Sequence, residues 1–224
     1  CVHPGLMTGA TYYYRAFSHD SVSNYNTATS VTATGTTGSA TLWLLETFDP
    51  YNNGNLGGQG NWTTVAAQSQ VQSTIAKGGA GKAALLDAIA AGGTITNDYS
   101  GFTKKTSGTQ AISFDAYQSW AGTSSNTIFA SVYFYADDSA TEIGRFGCSS
   151  GKWQLEYGSG NLSFVDSSVA PNTWYTIKIV FDMSLRKMSA YVNGTLKSSN
   201  LSFKTGAGTN IARIRVSSSL VSGL

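Results

Sequence analysis

The segment from Asn172 to Gly194 constrains the fold more than any other part of this chain. Apolar residues occupy every second position in two runs, namely Tyr175, Ile177, Ile179 and Phe181, then Met188, Ala190 and Val192. A period of two residues is typical of a β-strand with one buried face. The break at 182–186 and the dipeptide Asn193-Gly194 supply turns, since Asn-Gly readily adopts positive φ angles. The sequence therefore predicts two consecutive strands, each ended by a turn.

The rest of the chain has the composition of an all-β protein. Only 12% of its 224 residues are charged, about half of the usual share. Short β-branched and aromatic runs alternate with Gly and Asn, which favours many short strands. The formal net charge of +2 comes from scattered Lys and Arg residues, so the chain lacks the basic cluster of a nucleic-acid-binding protein. No apolar run is long enough to cross a bilayer, and we expect no membrane span.

Further strands are predicted along residues 41–217. They are expected at Thr41–Asp49, Ala111–Tyr117, Thr127–Ala136, Glu142–Cys148, Lys152–Tyr157, Leu162–Val165 and Ile211–Ser217. The last of these should return beside the first. Cys1 and Cys148 are the only cysteines. They lack metal-ligand spacing, and the sequence leaves open whether they form a disulfide.

Two motifs carry a resemblance to a known family. The order N-x-W-Y-x-I, F-D, A-Y-V-N-G in the segment 172–194, and LLETFDPYNNGNLGGQGNW at 44–62, resemble laminin-G-like or concanavalin A-like domains. The resemblance covers residues 42–219 and implies an antiparallel jelly-roll sandwich for a domain at 42–224. It also implies a strand at Lys82–Ile89, where propensity alone would allow a helix but the flanking glycines leave little room for one. It does not imply one ligand, because this fold hosts lectins, glycan-binding modules, glycosidases, lyases and structural modules.

The first residues resemble a different family. In residues 1–34, Leu6, Gly9, Tyr12 and Arg15 match the last strands of a fibronectin type III domain. The resemblance implies a partial sandwich, with Tyr12 as its corner tyrosine. Residues 35–41 have no periodicity and read as a Thr/Gly linker. A partial sandwich has open edges, so we expect it to be completed by missing strands or by another chain.

Residue types that catalysis requires are scarce in the predicted jelly roll. Both histidines, His3 and His19, precede residue 35, which excludes a histidine base or a Ser-His-Asp triad from the jelly roll. The three glutamates are Glu46, Glu142 and Glu156. None begins the E-x-D-x-x-E motif that the resemblance associates with jelly-roll glucanases. We therefore expect no catalytic residues.

A ligand face is expected on the strand Thr127–Ala136. Alternation places Tyr133 and Tyr135 on the face opposite Phe134, and aromatic rings with nearby polar groups suit sugar binding. Neighbouring strands are expected to add Arg145, Trp153 and Gln154, and Trp120 is the aromatic candidate in a loop. The alternative is that these rings only pack within the sandwich. Trp174 is expected in the core.

A structural calcium site is the predicted cofactor site. Asp137, Asp138 and Glu142 form an acidic cluster in a predicted loop, and calcium prefers oxygen ligands of this kind. The resemblance is compatible with this ion, because laminin-G-like and jelly-roll modules often bind calcium. The alternative is a solvated polar turn.

These features favour a non-catalytic carbohydrate-binding or adhesion module of a larger secreted protein. The expected partner is a glycan or cell-surface polysaccharide, and the expected location is extracellular or at the cell surface. One alternative is a structural subunit of a surface fibre or layer, assembled by strand pairing between subunits. The other is a divergent glycosidase or lyase.

Overall fold

The structure is a computed structural model that describes residues 11–19, 25–36, 48–66, 69–86, 95–100, 106–118, 130–136, 141–149, 151–166, 169–204 and 208–218. Within these ranges the protein is all-β, and all strand pairs are antiparallel. The strands of these ranges are β1 Thr11–His19, β2 Tyr25–Thr36, β3 Gly54–Asn55, β4 Trp62–Ala66, β5 Gln70–Gln72, β6 Ala83–Leu85, β7 Ile95–Tyr99, β8 Thr109–Gln118, β9 Ala130–Tyr135, β10 Glu142–Ser149, β11 Lys152–Tyr157, β12 Asn161–Asp166, β13 Thr173–Asp182, β14 Lys187–Val192, β15 Thr195–Ser202 and β16 Arg213–Ser218. A short 3₁₀ turn covers Lys77–Gly79. The described residues contain no helix that is long and apolar enough to span a membrane.

The chain divides into two compact units, Cys1–Trp43 and Leu44–Leu224. In the first unit, β1 and β2 form a two-stranded antiparallel sheet with a bulge between Ala16 and Ser18. The second strand continues to Thr36, so the first two residues of the predicted linker are part of a strand. The fibronectin-like completion of this sheet remains a prediction.

The second unit is an antiparallel sandwich of the jelly-roll type. Its larger sheet has the strand order β12-β11-β10-β9-β16-β7-β4, and its smaller sheet has the order β15-β14-β13-β8. The inner faces of the two sheets meet in one apolar core. Phe134 of the larger sheet contacts Phe181 of the smaller sheet at 5.0 Å between ring centroids, in an edge-to-face geometry that aromatic pairs favour.

The predicted central strand pair is confirmed. β13 and β14 pair antiparallel, and the alternating residues of both runs are buried: Tyr175, Ile177, Ile179, Phe181, Met188, Ala190 and Val192. Asn193 and Gly194 have φ angles of 49° and 79°, as a tight hairpin turn with positive φ requires. Local alternation and turn chemistry therefore determine this half of the smaller sheet.

A second, smaller apolar cluster lies at the β7–β4 edge of the larger sheet. Leu56, Trp62, Val71 and Tyr99 are buried there, beside the three-stranded sheet of order β3-β5-β6. The Gln59 side chain bonds to the backbone of the same loop, with Nε2 donating to Asn55 O at 2.7 Å. Side-chain bonds of this kind replace strand pairing in a loop.

Most of the other predicted strands are present within one or two residues of their expected bounds. The strand Lys152–Tyr157 is found with the predicted bounds. The described part of Thr127–Ala136 contains β9, with 127–129 outside the described residues, and the described part of Lys82–Ile89 contains the three-residue β6, with 87–89 outside them. Most of the predicted first strand, 41–47, also lies outside them. The strands β7 and β9 pair with the two edges of β16. The expectation that β16 lies beside that first strand is therefore wrong, because a strand has only two edges.

Candidate functional site: the polar face of the larger sheet

The larger sheet has one face in the core and a second face covered with polar and aromatic side chains. On β9, Val132 and Phe134 pack in the core, so alternation places Tyr133 and Tyr135 on the other side. Cross-strand register brings charged residues beside them, since Tyr133 pairs with Arg145 and Arg215, and Tyr135 with Glu142 and Arg213. We call this surface the polar face; its members are Asp98, Ser131, Tyr133, Tyr135, Glu142, Arg145, Gln154, Glu156, Lys204, Arg213 and Arg215.

Two stacked tyrosines form the centre of the polar face. The rings of Tyr133 and Tyr135 are 6.1 Å apart and inclined by only 20°. Arg145 lies over the Tyr133 ring at 5.2 Å, and Arg213 lies over the Tyr135 ring at 4.2 Å. These distances allow cation–π attraction. Burial raises the pKa of Tyr135, although Arg215 acts in the opposite direction, so its phenol stays protonated at neutral pH.

The β7 side of the polar face is held by a buried carboxylate. Asp98 accepts hydrogen bonds from Arg215 Nε at 2.7 Å and from Arg215 Nη2 at 2.9 Å. Arg213 also contacts Asp98. The two parallel bonds form a bidentate pair, which fixes the guanidinium plane. The hydrogen bonds that Arg215 donates to Asp98 raise the pKa of Arg215 more than burial lowers it.

The β10–β11 side contains a second charged group with four members. Lys204 Nζ donates to Glu156 Oε1 at 2.6 Å and to Glu142 Oε1 at 3.1 Å. Arg145 contacts the second oxygen of Glu156, and Arg145 Nη1 donates to Tyr133 Oη at 3.1 Å. Lys204 is anchored to the sheet, because its backbone N–H donates to Ile143 O at 2.8 Å. The polar face is therefore a connected network rather than a set of independent side chains.

The network decides the charge states of its members. Burial alone would raise the pKa of Glu156, but the bonds from Lys204 and the charge of Arg145 outweigh burial, and the pKa is lowered. Burial alone would lower the pKa of Lys204, yet Glu156 and Glu142 raise it overall. Both groups are consequently charged at neutral pH.

Four of the predicted ligand residues share this face. Tyr133, Tyr135, Arg145 and Gln154 lie on it, as β9, β10 and β11 are neighbours. Gln154 is fully buried. Trp153 does not share this face, which corrects the expectation that it joins them.

The reason for the Trp153 placement is its register. Trp153 opposes Cys148 on β10, and its ring stacks on Phe146 at 5.4 Å within the core. Only 4% of its surface is exposed. Trp120 lies outside the described residues.

The predicted calcium ligands do not meet within the described residues. Asp137 and Asp138 lie outside them, whereas the Glu142 carboxylate contacts the Lys204 ammonium. The described part of the chain holds no group of three or more His, Cys, Asp or Glu side chains that could bind a metal. Calcium at Asp137, Asp138 and Glu142 therefore stays a prediction.

Sequence reasoning missed several members of the polar face. Arg213 and Arg215 alternate with Ile214 and Val216, a pattern that puts both arginines on one side of a strand. This signal is visible in the sequence, but it does not say that β16 lies beside β9. Asp98 and Lys204 carry no sequence signal that we can identify.

A second aromatic group lies on the outer face of the smaller sheet. Trp174 is half-buried and contacts Tyr117 at 5.2 Å between ring centroids. Trp174 was expected in the core, and this expectation is wrong, because alternation with buried Tyr175 turns it outward. Nearby, Lys178 lies over the Tyr191 ring at 5.2 Å. The Trp174 and Tyr117 rings therefore serve as a control for sugar binding away from the polar face.

Comparison with known proteins gives similarity in structure alone. No family model and no curated protein sequence matches the chain. Among solved structures, a sialidase is 14% identical with a TM-score of 0.52, covering 77% of this chain and 14% of that chain. Domain 4 of an extracellular arabinanase from Geobacillus stearothermophilus, in complex with arabinotriose, is 16% identical with a TM-score of 0.44, covering 78% and 91%.

A third similar structure is the carbohydrate binding module CBM66 from Bacillus subtilis, which is 12% identical with a TM-score of 0.42, covering 74% of this chain and 95% of that module. The chain thus spans about one seventh of the sialidase chain. At this level of identity the sialidase similarity concerns the fold, and it agrees with the sandwich described above.

Proposed function

We propose that this chain is a non-catalytic module that binds glycans on the polar face of its larger sheet, as part of a larger extracellular protein. The observation that carries the proposal is the partly exposed Tyr133 ring, stacked on the buried Tyr135 and flanked by arginines that the carboxylates hold in place. Aromatic rings beside ordered polar groups are the usual elements of a sugar site. The fold similarity to a sialidase supports a carbohydrate-related role.

The carboxylates of the polar face are poorly suited to glycoside hydrolysis. Hydrolysis requires one carboxyl that is protonated as the general acid and a second one that is ionised. Glu142 and Glu156 instead share the Lys204 ammonium. The pKa of Glu156 is lowered, so this residue has no proton to donate at neutral pH. Their arrangement supports binding rather than catalysis.

The test is affinity electrophoresis of the full chain through gels that contain soluble polysaccharides, followed by calorimetry on any ligand that retards it. Tyr133→Ala should weaken binding about tenfold, because loss of a stacking ring costs about 1.4 kcal/mol. Trp174→Ala removes an aromatic ring from the smaller sheet and serves as the matched control, with wild-type affinity expected. Weakened binding in Trp174→Ala alone would move the site to that sheet, and no retardation by any polysaccharide would refute the proposal.

Assembly through strand pairing is the second candidate function. Within the described residues β1 and β2 pair only with each other, so each has an edge with backbone groups available to a further strand. An isolated two-stranded sheet is marginally stable in water. Strand addition from another molecule would therefore stabilise it, which supports a role in a surface fibre or layer.

A further inference from the structure

The buried polar atoms of the polar face that lack a hydrogen-bond partner among the described residues include one on Gln154 and one on Arg145. Gln154 is 1% exposed, and its Oε1 accepts no hydrogen bond. Arg145 Nε is likewise buried and donates none, although its Nη1 donates to Tyr133. Buried polar groups are nearly always paired. An unused acceptor and an unused donor on the same face therefore indicate a missing partner.

The register places these two atoms on neighbouring strands. Arg145 opposes Glu156, while Gly147 opposes Gln154 on one side and Ser131 on the other. Arg145 and Gln154 are consequently diagonal neighbours, at a typical separation of about 7 Å between backbones. Gly147 has no side chain, so no side chain lies between Gln154 and Ser131 on this face, and we call this position the notch. Gly147 itself is buried, whereas Arg145 beside it is partly exposed.

The chemistry of the pair selects the group that fits the notch. A hydroxyl can accept a hydrogen bond from Arg145 Nε and donate one to Gln154 Oε1 at the same time. A carboxylate or sulfate has only acceptors and would face the Gln154 oxygen unfavourably. An ammonium has only donors and would leave Arg145 Nε without an acceptor.

The charges of the polar face lead to the same conclusion. Each of its four cations already contacts a carboxylate: Arg145 and Lys204 contact Glu156, and Arg213 and Arg215 contact Asp98. An acidic sugar would compete with these internal carboxylates for the same cations, and displacing one of them would leave its charge uncompensated. A neutral sugar needs no such displacement.

We infer that the polar face binds a neutral sugar, one hydroxyl of which enters the notch at Gly147, accepts from Arg145 Nε and donates to Gln154 Oε1. This inference rests on the proposed glycan-binding function and specifies its ligand class. It makes Gln154, which is too buried to offer a stacking surface, a specificity-determining residue.

The test compares neutral with acidic polysaccharides and uses one substitution. The full chain should bind members of a neutral set (laminarin, mannan, xyloglucan, levan) and should not bind alginate, polygalacturonate or heparin. Gln154→Met has a similar volume but no acceptor, and we expect about fivefold to tenfold weaker binding, the effect of one lost hydrogen bond. Gln70→Met, on β5 of the three-stranded sheet, is the matched control with wild-type affinity.

The melting temperature of Gln154→Met shows that the variant is folded before its affinity is compared. Met removes the amide N–H groups of Gln154 together with Oε1, so some loss of stability is expected. Wild-type affinity in Gln154→Met would overturn the inference, since a trapped water would then suffice.

The wild-type polysaccharide comparison does not depend on whether any variant folds. Binding to acidic polysaccharides alone would overturn this inference and leave the proposed function standing. Absence of binding to both sets would refute the proposed function and this inference together.

Discussion

Phe181→Ala tests the assignment of faces in the sandwich, on which the position of the polar face depends. Phe181 lies on β13 and is 0% exposed. Its ring contacts Phe134 across the sandwich at 5.0 Å and Phe203 at 6.2 Å, both edge to face. Removing the ring would break both contacts and leave a cavity between the sheets.

The expected cost is about 4 kcal/mol in the free energy of unfolding, within the range for buried phenylalanines. Both lost aromatic contacts favour the upper half of that range. With a urea slope of about 2 kcal/mol per molar, the midpoint should fall by about 2 M. Leu185→Ala, in the turn after the same strand, is the control. Leu185 is 68% exposed, and its substitution should change stability by less than about 0.5 kcal/mol.

The assay is urea unfolding of the full chain followed by near-ultraviolet circular dichroism, which reports on packed aromatic rings. A loss below about 1 kcal/mol for Phe181→Ala would show that the ring is not in the core. In that case the faces of β13 would be reversed, and the face assignment of the larger sheet that packs against it would fail too.

Four further predictions concern charge, the thiol, calcium and assembly. The pKa of Glu156 is lowered from the ordinary 4.5, so its ion pairs should stabilise the fold above that pH and lose their effect as the pH falls through the lowered value. In urea titrations the free energy of unfolding should therefore fall less steeply with acid in Glu156→Gln than in the wild type, and an equal fall would contradict this. Cys148 is a buried free thiol whose pKa burial raises to about 11, so in a Cys1→Ser background it should react with a thiol reagent only after unfolding, and fast labelling of the folded protein would refute its burial. If calcium binds the acidic cluster, a chelator should lower the melting temperature and Asp138→Asn should abolish the difference. Identical melting temperatures with and without chelator would refute the calcium hypothesis. Light scattering should show a mass above that of the monomer for the full chain but not for residues 40–224. A monomeric mass for both proteins would contradict assembly through β1 and β2.

The sequence predicted those parts of the fold that depend on local pattern. Alternation identified the buried residues of β13 and β14, and Asn193-Gly194 identified their turn. The same alternation placed Tyr133 and Tyr135 on one side of β9. These signals are local because strand period and turn chemistry depend on residues that are close in the chain.

The remaining part of the polar face depends on contacts between distant residues. Asp98 and Arg215 are 117 positions apart, and their pairing follows from the order of strands in the larger sheet. A strand pattern does not specify its neighbours, so this network was not predictable from one sequence. The misplaced tryptophans are different, since Trp153 and Trp174 follow the alternation of their own strands and could have been assigned by it.

The central claim is that a glycan binds over the tyrosines of the polar face. The most direct measurement is a crystal structure of the full chain with a neutral oligosaccharide selected by the binding assay. We predict a sugar ring in contact with Tyr133, at about 4 Å between carbon atoms, with a hydroxyl between Arg145 and Gln154. A sugar bound instead beside Trp174 and Tyr117 on the smaller sheet, with the polar face empty, would contradict the claim.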